Sequence, residues 1–238
     1  MTDHLVDVVE TDQGPMLLLR TDTVISKAIR EDGDYAREEK ALLADFIAEG
    51  DTVIDVGANI GCHTLFFARQ VGGDGRVYSF EAQRFLFQIL CGNVAINSLR
   101  NVWSIPAALG NKQGRVDVPV PDYGRDNNYG GYSLDFATFK ESGYMLRLDD
   151  LPLESCQLIK IDVEGMELDV LQGSRKTIAT FQPVLYLENN RPDKGKALLD
   201  FIANELDYQA LRHGQNILCL PSVIDALPLS ATRLGRLA

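Results

Sequence analysis

Short β-branched or leucine-rich runs recur along the chain, separated by stretches with helical spacing. Val53, Ile54 and Val56, then Val77-Tyr-Ser-Phe80, Val102 to Pro106, Leu158-Ile-Lys-Ile161 and Val184-Leu-Tyr-Leu187 read as strands covered on both faces. Helices are predicted from about Leu65 onward, after Glu81 through about Ile96, from Leu168 to Thr180 and from Lys194 to Glu205. This alternation predicts right-handed crossovers and a parallel sheet. Two more strands, Tyr208 to Leu211 and Asn216 to Leu220, are joined by the short His213-Gly-Gln215 and read as a hairpin.

The ends of the chain depart from this rhythm. Leu5 to Val9 and Met16 to Leu19 predict a small hairpin around Asp12-Gln-Gly-Pro15, and Asp22 is placed to cap a helix running to about Arg30. A second helix, Tyr35 to Ala48, puts Leu42, Leu43, Phe46 and Ile47 on one apolar face, and Gly50-Asp51 stops it. Residues 1–50 therefore read as a brace or lid, 51–221 as the main domain, and 222–238 as an uninformative tail. Within the main domain, 110–134 is an irregular insertion rich in Gly, Asn, Asp and Tyr, expected to carry short strands and a functional loop.

The first core strand runs into Asp55-Val-Gly-Ala-Asn-Ile-Gly61. Gly57 and Gly61 permit a tight turn and close backbone approach, and the helix that follows aims bare N–H groups at any ligand there. A dinucleotide loop wants a third glycine where Asn59 stands. Glu81 closes the next strand, where an acid can take both hydroxyls of a ribose. An adenosine ligand without a pyrophosphate fits this loop best, and the simplest is S-adenosylmethionine.

Four strand ends carry acids: Asp55, Glu81, Asp162 and Glu188. Adjacent carboxylates repel unless a cation or proton intervenes, and a sulfonium with an α-ammonium would supply that charge. Methyl transfer needs an aligned nucleophile and, for a hydroxyl, a base, so Asp162, Glu164 and Glu188 are the candidate catalytic acids. Glu167 either faces solvent or caps a helix. Asp162 with Glu188 and Asn189 also offers hard oxygen ligands for Mg²⁺ or Ca²⁺, but such groupings are common in loops and a metal is not favoured. His63 either approaches the ligand or packs beneath the loop, Cys62 reads as a small buried side chain, and His213 as a solvent-exposed loop residue.

Composition narrows the field. With 45% hydrophobic and 24% charged residues the chain is that of a globular protein, and its net charge of -11 argues against a general nucleic-acid surface. No apolar run reaches the roughly 18 residues of a membrane span. The start, Met1-Thr-Asp-His-Leu5, lacks a signal peptide's basic and apolar regions. The four cysteines form no Cys-x-x-Cys pair, so reduced thiols in a cytoplasmic protein are expected, as monomer or homodimer.

The sequence resembles the FkbM-type S-adenosylmethionine-dependent methyltransferases from roughly Asp22 to Pro221. The matching pieces are Asp55 to Gly61 with His63-Thr-Leu65, Glu81, Gly130-Gly-Tyr-Ser-Leu134, Leu148-Asp-Asp-Leu151, Leu158 to Gly165 and Tyr186 to Pro192. The resemblance implies a Rossmann-like, seven-stranded, mostly parallel sheet ending in an antiparallel pair, with helices on both faces. It implies mostly O-methylation of sugars, polyketides or other small metabolites, with N-methylation in some members. By position, Asp55, Gly57 and Asn59 would hold the methionine part and Glu81 the ribose, Ala107 would lie near the adenine, and Ala58, Gly61, His63 and Asp162 complete the expected cofactor-binding set. Asn127, Asn128 and the Gly130-Gly131 loop would shape the acceptor side. Competing readings are an NAD-dependent oxidoreductase, disfavoured by Asn59, and a non-catalytic subunit of the same fold, disfavoured by the retained acids.

Overall fold

The computed structural model describes residues 4–133, 139–222, 230–231 and 234–237. Leu134 and most of the 222–238 tail lie outside these. In chain order the elements are β1 (Val6–Thr11), β2 (Gly14–Leu19), α1 (Ile25–Asp32), α2 (Arg37–Ala44), β3 (Thr52–Val56), α3 (Cys62–Gln70), β4 (Arg76–Phe80), α4 (Arg84–Ile96) and β5 (Val102–Ile105). Then come β6 (Ala108–Leu109), β7 (Gly114–Pro119), β8 (Lys140–Leu146), β9 (Leu158–Ile161), α5 (Glu167–Gln172), α6 (Arg175–Phe181), β10 (Val184–Glu188), α7 (Pro192–Glu205), β11 (Tyr208–His213), β12 (Asn216–Pro221) and β13 (Gly235–Arg236).

The central sheet has the order β13-β11-β12-β10-β9-β3-β4-β5. β10, β9, β3, β4 and β5 are parallel, and β12 and β11 add the expected antiparallel hairpin. Beyond the seven expected strands, the two-residue β13 pairs with β11 as an eighth.

Period-two alternation sends the two sides of each core strand into different layers. Ile54, Val56, Ile159, Ile161, Leu185 and Leu187 pack with Val170, Leu171, Leu198 and Ile202 of α5 and α7. On the other face Val53, Leu158, Val184 and Leu218 meet Leu42 and Leu43 of α2 and Phe67 of α3. The register then aligns Asp55 with Lys160 and Lys160 with Tyr186, so three polar side chains form a row on this second face.

Several elements differ from their sequence expectation. The helix expected from Leu168 to Thr180 is broken into α5 and α6 at Gly173-Ser174, because Gly173 packs against the Gly110 carbonyl: a Cβ there would lie 1.9 Å from that oxygen. α2 is shorter than expected at both ends, entered through Ala36 at φ 57° and left through tighter turns, Asp45 N to Leu42 O and Phe46 N to Leu43 O. The insertion's β7 pairs with β8, well beyond residue 134, in a separate sheet of order β6-β8-β7. Asp22 stands two residues before the N-cap of α1, yet accepts hydrogen bonds from Val24 N (3.1 Å) and Ser26 N (2.7 Å).

One side chain ties the N-terminal hairpin to the glycine loop. Asn93 of α4, fully buried, accepts from Leu17 N and donates to Leu17 O and to Ile60 O of the glycine loop. Among the described residues no helix is long and apolar enough to cross a membrane.

Candidate active site

The loop between β3 and α3 is shaped by backbone contacts. Gly57 has φ 78°, and a Cβ on it would lie 1.8 Å from the Asp162 carbonyl oxygen, so only glycine lets the two strand ends meet. Gly57 N and Ala58 N donate to Phe80 O. Asn59, at φ 51°, is a residue type that tolerates the left-handed region, and its N–H donates to Glu81 Oε2 at 2.8 Å. Gln83 N donates to Glu81 Oε1, also at 2.8 Å. Burial raises the Glu81 carboxyl to about 7, against the pull of those two N–H groups.

A cavity of about 280 Å³ runs along the carboxyl ends of the parallel strands. Following the strand order, Phe80, Ala107, Leu109 and Pro119 line its β4–β5 end, and Gly57, Ala58, Asn59 and Glu81 its middle. Its β9–β10 end is lined by Tyr35, His63, Lys160, Asp162, Glu164 and Glu188. Nine of the residues expected at the site thus meet here.

Asp55 and Gly61 do not line the cavity. Asp55 has no exposure, accepts from Thr64 Oγ1 at 2.6 Å and lies 3.5 Å from Lys160 Nζ, so it supports the loop from beneath. Gly61 turns the chain into α3, where a Cβ would lie 2.8 Å from Leu90 Cδ1.

The loop carrying Gly130 and Gly131 lines the cavity between the glycine motif and Glu164. A Cβ on Gly130 would be 2.9 Å from Asn59 Nδ2, and one on Gly131 3.7 Å from Glu164 Oε1. Asn128 lines the cavity, whereas Asn127 donates to Tyr132 OH and pairs through its backbone with Thr21 and Thr23.

Asp162, Glu164 and Glu188 bring carboxylate oxygens within 4.8 Å of one another. Lys160 Nζ stands 3.5 Å from Asp162 Oδ2, and Arg191 Nη2 donates to Glu164 Oε2 at 3.0 Å. Burial opposes the Lys160 charge, but Asp162 and Asp55 outweigh it and hold the ammonium above its ordinary pKa. Burial, with Asp162 and Glu164 beside it, pushes Glu188 well above the carboxylate range. Its Oε1 accepts from Asn190 Nδ2 at 2.6 Å, and its Oε2 is buried with no hydrogen-bond partner among the described residues.

Three such carboxylates are a donor set a divalent ion could use. Lys160 and Arg191 already stand against two of them. Asn189, expected beside them, is absent from the lining and packs on Gly195, and Asn190 takes its place. Glu167 is buried and accepts from Val163 N and Gly165 N, closing the turn rather than facing solvent.

A second cavity opens beside the first, between the α1–α2 corner and the β11–β12 turn. The two share Tyr35, His63, Asp162, Glu188 and Gln215. His213 belongs to this wall: half-buried, it lies 2.8 Å through Nδ1 from Tyr186 OH, not free in solvent. Tyr35, Glu39 and Lys160 were missed by sequence reasoning. Only Lys160 left a signal there, as a charged residue between two core isoleucines.

Residues 55–214 match the family model described as Methyltransferase FkbM domain. The chain belongs to the FkbM methyltransferase family. Among solved structures, this FkbM chain is similar to a methyltransferase FkbM from Methylobacillus flagellatus KT, with 22% identity and a TM-score of 0.55, over 73% of this chain and 43% of that one. It also shares its fold with a SAM-dependent O-methyltransferase from Thermotoga maritima, at 12% identity and a TM-score of 0.50, over 90% of this chain and 77% of that one. Methyltransferase sdnD of Sordaria araneosa is 26% identical over 154 residues, 51% of this chain and 59% of the relative. The chain therefore spans under two thirds of the length of sdnD and of the Methylobacillus protein.

The cofactor of the family is S-adenosylmethionine, and the cavity of this FkbM chain fits it. Phe80, Ala107 and Leu109 offer an apolar slot for a flat base. Glu81 has lone pairs left for a diol beyond the two N–H groups it holds. The 45% exposed Asp162 at the other end can face positive charge, and Gly57 lets the β3 and β9 strand ends close together beneath the cavity. When bound, the cofactor supplies a methyl group activated on a sulfonium. The thiol of Cys62, pushed up to about 12 by burial, is inert in the cavity wall.

Proposed function

We propose that this chain methylates a hydroxyl oxygen on a small metabolite such as a sugar, a glycoside or a polyketide-like natural product. One observation carries the reading: Asp162 and Glu188 line both cavities, so two carboxyl groups stand where cofactor and acceptor chambers join. A hydroxyl is a weak nucleophile until its proton is drawn away, and a carboxylate within reach does this as the new bond forms.

Asp162 suits the role of base. Its side chain is 45% exposed, while the buried Lys160 fixes one oxygen from behind. Glu188 holds its proton more firmly and is suited to donate a hydrogen bond that orients the acceptor oxygen. In the balance, the hydroxyl loses its proton to Asp162 and gains the methyl carbon, whose bond to sulfur breaks. The proton then passes to water. Glu164, tied to Arg191, is a positioning residue for this end of the cavity.

The same reading has the protein act in the cytoplasm, as a monomer or homodimer, without nucleic-acid or membrane partners. All four cysteines are free and three are buried, which supports a reducing compartment. The test is transfer from methyl-labelled S-adenosylmethionine to a panel of hydroxyl acceptors beginning with glycosides, with the labelled atom located by NMR. Label on oxygen is the expected result. Label found only on nitrogen, or none on any hydroxyl while the cofactor binds, would sink the reading.

A further inference from the structure

The second cavity holds far more negative than positive charge. Asp32, Glu38 and Glu39 line it from the α1–α2 corner and Asp162 from the strand ends, while Glu188, kept protonated by burial, adds no charge. A further carboxylate there, Asp34, is matched by Lys40 in a close buried ion pair.

The positive groups nearby are already committed. Arg37 pairs with Asp12 Oδ2 at 2.5 Å and donates to the Asp32 carbonyl, while Lys160 is divided between Asp55 and Asp162. His63 brings no relief. Its side chain is 8% exposed, its Nε2 is turned to Glu39 Oε2 at 3.5 Å, and burial outweighs that contact and holds the ring below its ordinary pKa. Glu39 keeps its charge: its Oε1 accepts from Asn216 Nδ2 at 3.0 Å. Burial pushes its carboxyl up, but the neighbouring His63 and Lys160 outweigh that and hold it below the usual range.

A chamber so lined disfavours neutral and anionic occupants that cannot answer its field. We infer that the acceptor is a cation: a small molecule whose protonated amine rests against the Glu38–Glu39 side of the second cavity while its hydroxyl reaches the Asp162–Glu188 junction. This rests on the O-methylation reading above and names the substrate class for it. The amine is a handle and not the methylated atom, because an ammonium has no lone pair to offer. An amine handle is also selective, since its N–H groups meet carboxylates that an isosteric hydroxyl leaves poorly matched.

The test uses the full chain loaded with S-adenosylhomocysteine, with EDTA present. Three scaffolds (a pyranoside, a linear polyol and an aromatic alcohol) are each prepared with an ammonium, a hydroxyl or a carboxylate at one position. Ligand-observed NMR then ranks them. The expected result is that on at least one scaffold the ammonium form binds about tenfold tighter than its hydroxyl isostere, and that the carboxylate form does not bind. The preference should shrink to about threefold or less in Glu39→Gln, and also in Glu38→Gln, whose exposed position makes misfolding a poor explanation.

Equal binding of the neutral forms, no ammonium preference on any scaffold, or a preference that survives both substitutions would overturn the inference. Labelled turnover separates it from the reading beneath it. Label on the nitrogen of a preferred amine sinks O-methylation and leaves the cationic acceptor standing. Label on the oxygen of neutral alcohols, with no amine preference, does the reverse.

Discussion

Lys160 Nζ lies 3.5 Å from Asp55 Oδ1, and their side chains are 4% and 0% exposed. That Asp55 oxygen has no hydrogen bond among the described residues, so the ammonium is what answers its charge. Removing one partner of a buried pair leaves an uncompensated charge, which costs about 3–5 kcal/mol. Lys160→Met should therefore lower unfolding stability by about that amount. Adding Asp55→Asn should recover a large part of it. Urea unfolding of the two single variants and the double one checks this, and a double variant no more stable than Lys160→Met rules the pair out as the cause.

The same lysine touches Asp162, which gives the second prediction. If Asp162 takes the acceptor proton, Asp162→Asn should lower kcat by roughly 10²–10⁴ while cofactor affinity changes far less. Glu188→Gln keeps a neutral hydrogen-bond donor in place of a carboxyl that burial and Asp162 hold protonated. It should cost less near neutral pH and differ more from the parent as the medium becomes alkaline. Single-turnover rates from pH 6 to 10 separate the two roles. Near-normal turnover by Asp162→Asn would remove it from the mechanism.

Gly57 and Gly50 offer a matched contrast. Both have positive φ, 78° and 90°, but a Cβ on Gly50 meets nothing within 4 Å, whereas one on Gly57 would lie 1.8 Å from Asp162 O. Gly50→Ala should cost only the backbone strain, about 1–2 kcal/mol. Gly57→Ala adds a clash with backbone that cannot swing away, so it should abolish cofactor binding and destabilise by more. Thermal unfolding with and without S-adenosylhomocysteine measures both effects. Equal losses at the two positions would mean that the strand ends can separate at little cost.

The parallel core was legible because its cause is local. Val53, Ile54 and Val56, or Ile159 and Ile161, are apolar on both sides of the strand, and only a sheet covered on both faces buries such runs. Glu81, Asp162 and Glu188 were legible as strand-end acids for the same reason. What escaped depends on contacts between distant segments. The break at Gly173-Ser174 follows from the Gly110 carbonyl some sixty residues earlier in the chain, and nothing in the Leu168–Thr180 pattern announces it. The place of Gly130 over Asn59, and of Glu39 beside His63, is likewise set by tertiary packing. Asp55 misled because its motif position suggests ligand contact, while the strand register turns it toward Lys160 beneath the loop.

Glu81 carries a pH signature that can be worked out in sign. Burial raises its folded-state pKa from 4.5 to about 7. Between those values the folded protein binds more protons than the unfolded chain, so stability falls as pH rises. The contribution is fully present below about pH 4.5 and is lost through about pH 7. At 1.36 kcal/mol per unit it amounts to roughly 3 kcal/mol across the window. Glu188 is raised in the same direction and the half-buried carboxylates Asp7 and Glu141 are lowered by their arginines, so the raw curve mixes several groups. The difference between the parent and Glu81→Gln isolates one of them, because Gln stays neutral throughout. Without cofactor, the parent's stability relative to Glu81→Gln should decline steadily from pH 4.5 to 7.5. A difference that stays flat over that range would show that Glu81 is ionised in the empty protein, held by Asn59 N and Gln83 N more strongly than burial opposes it.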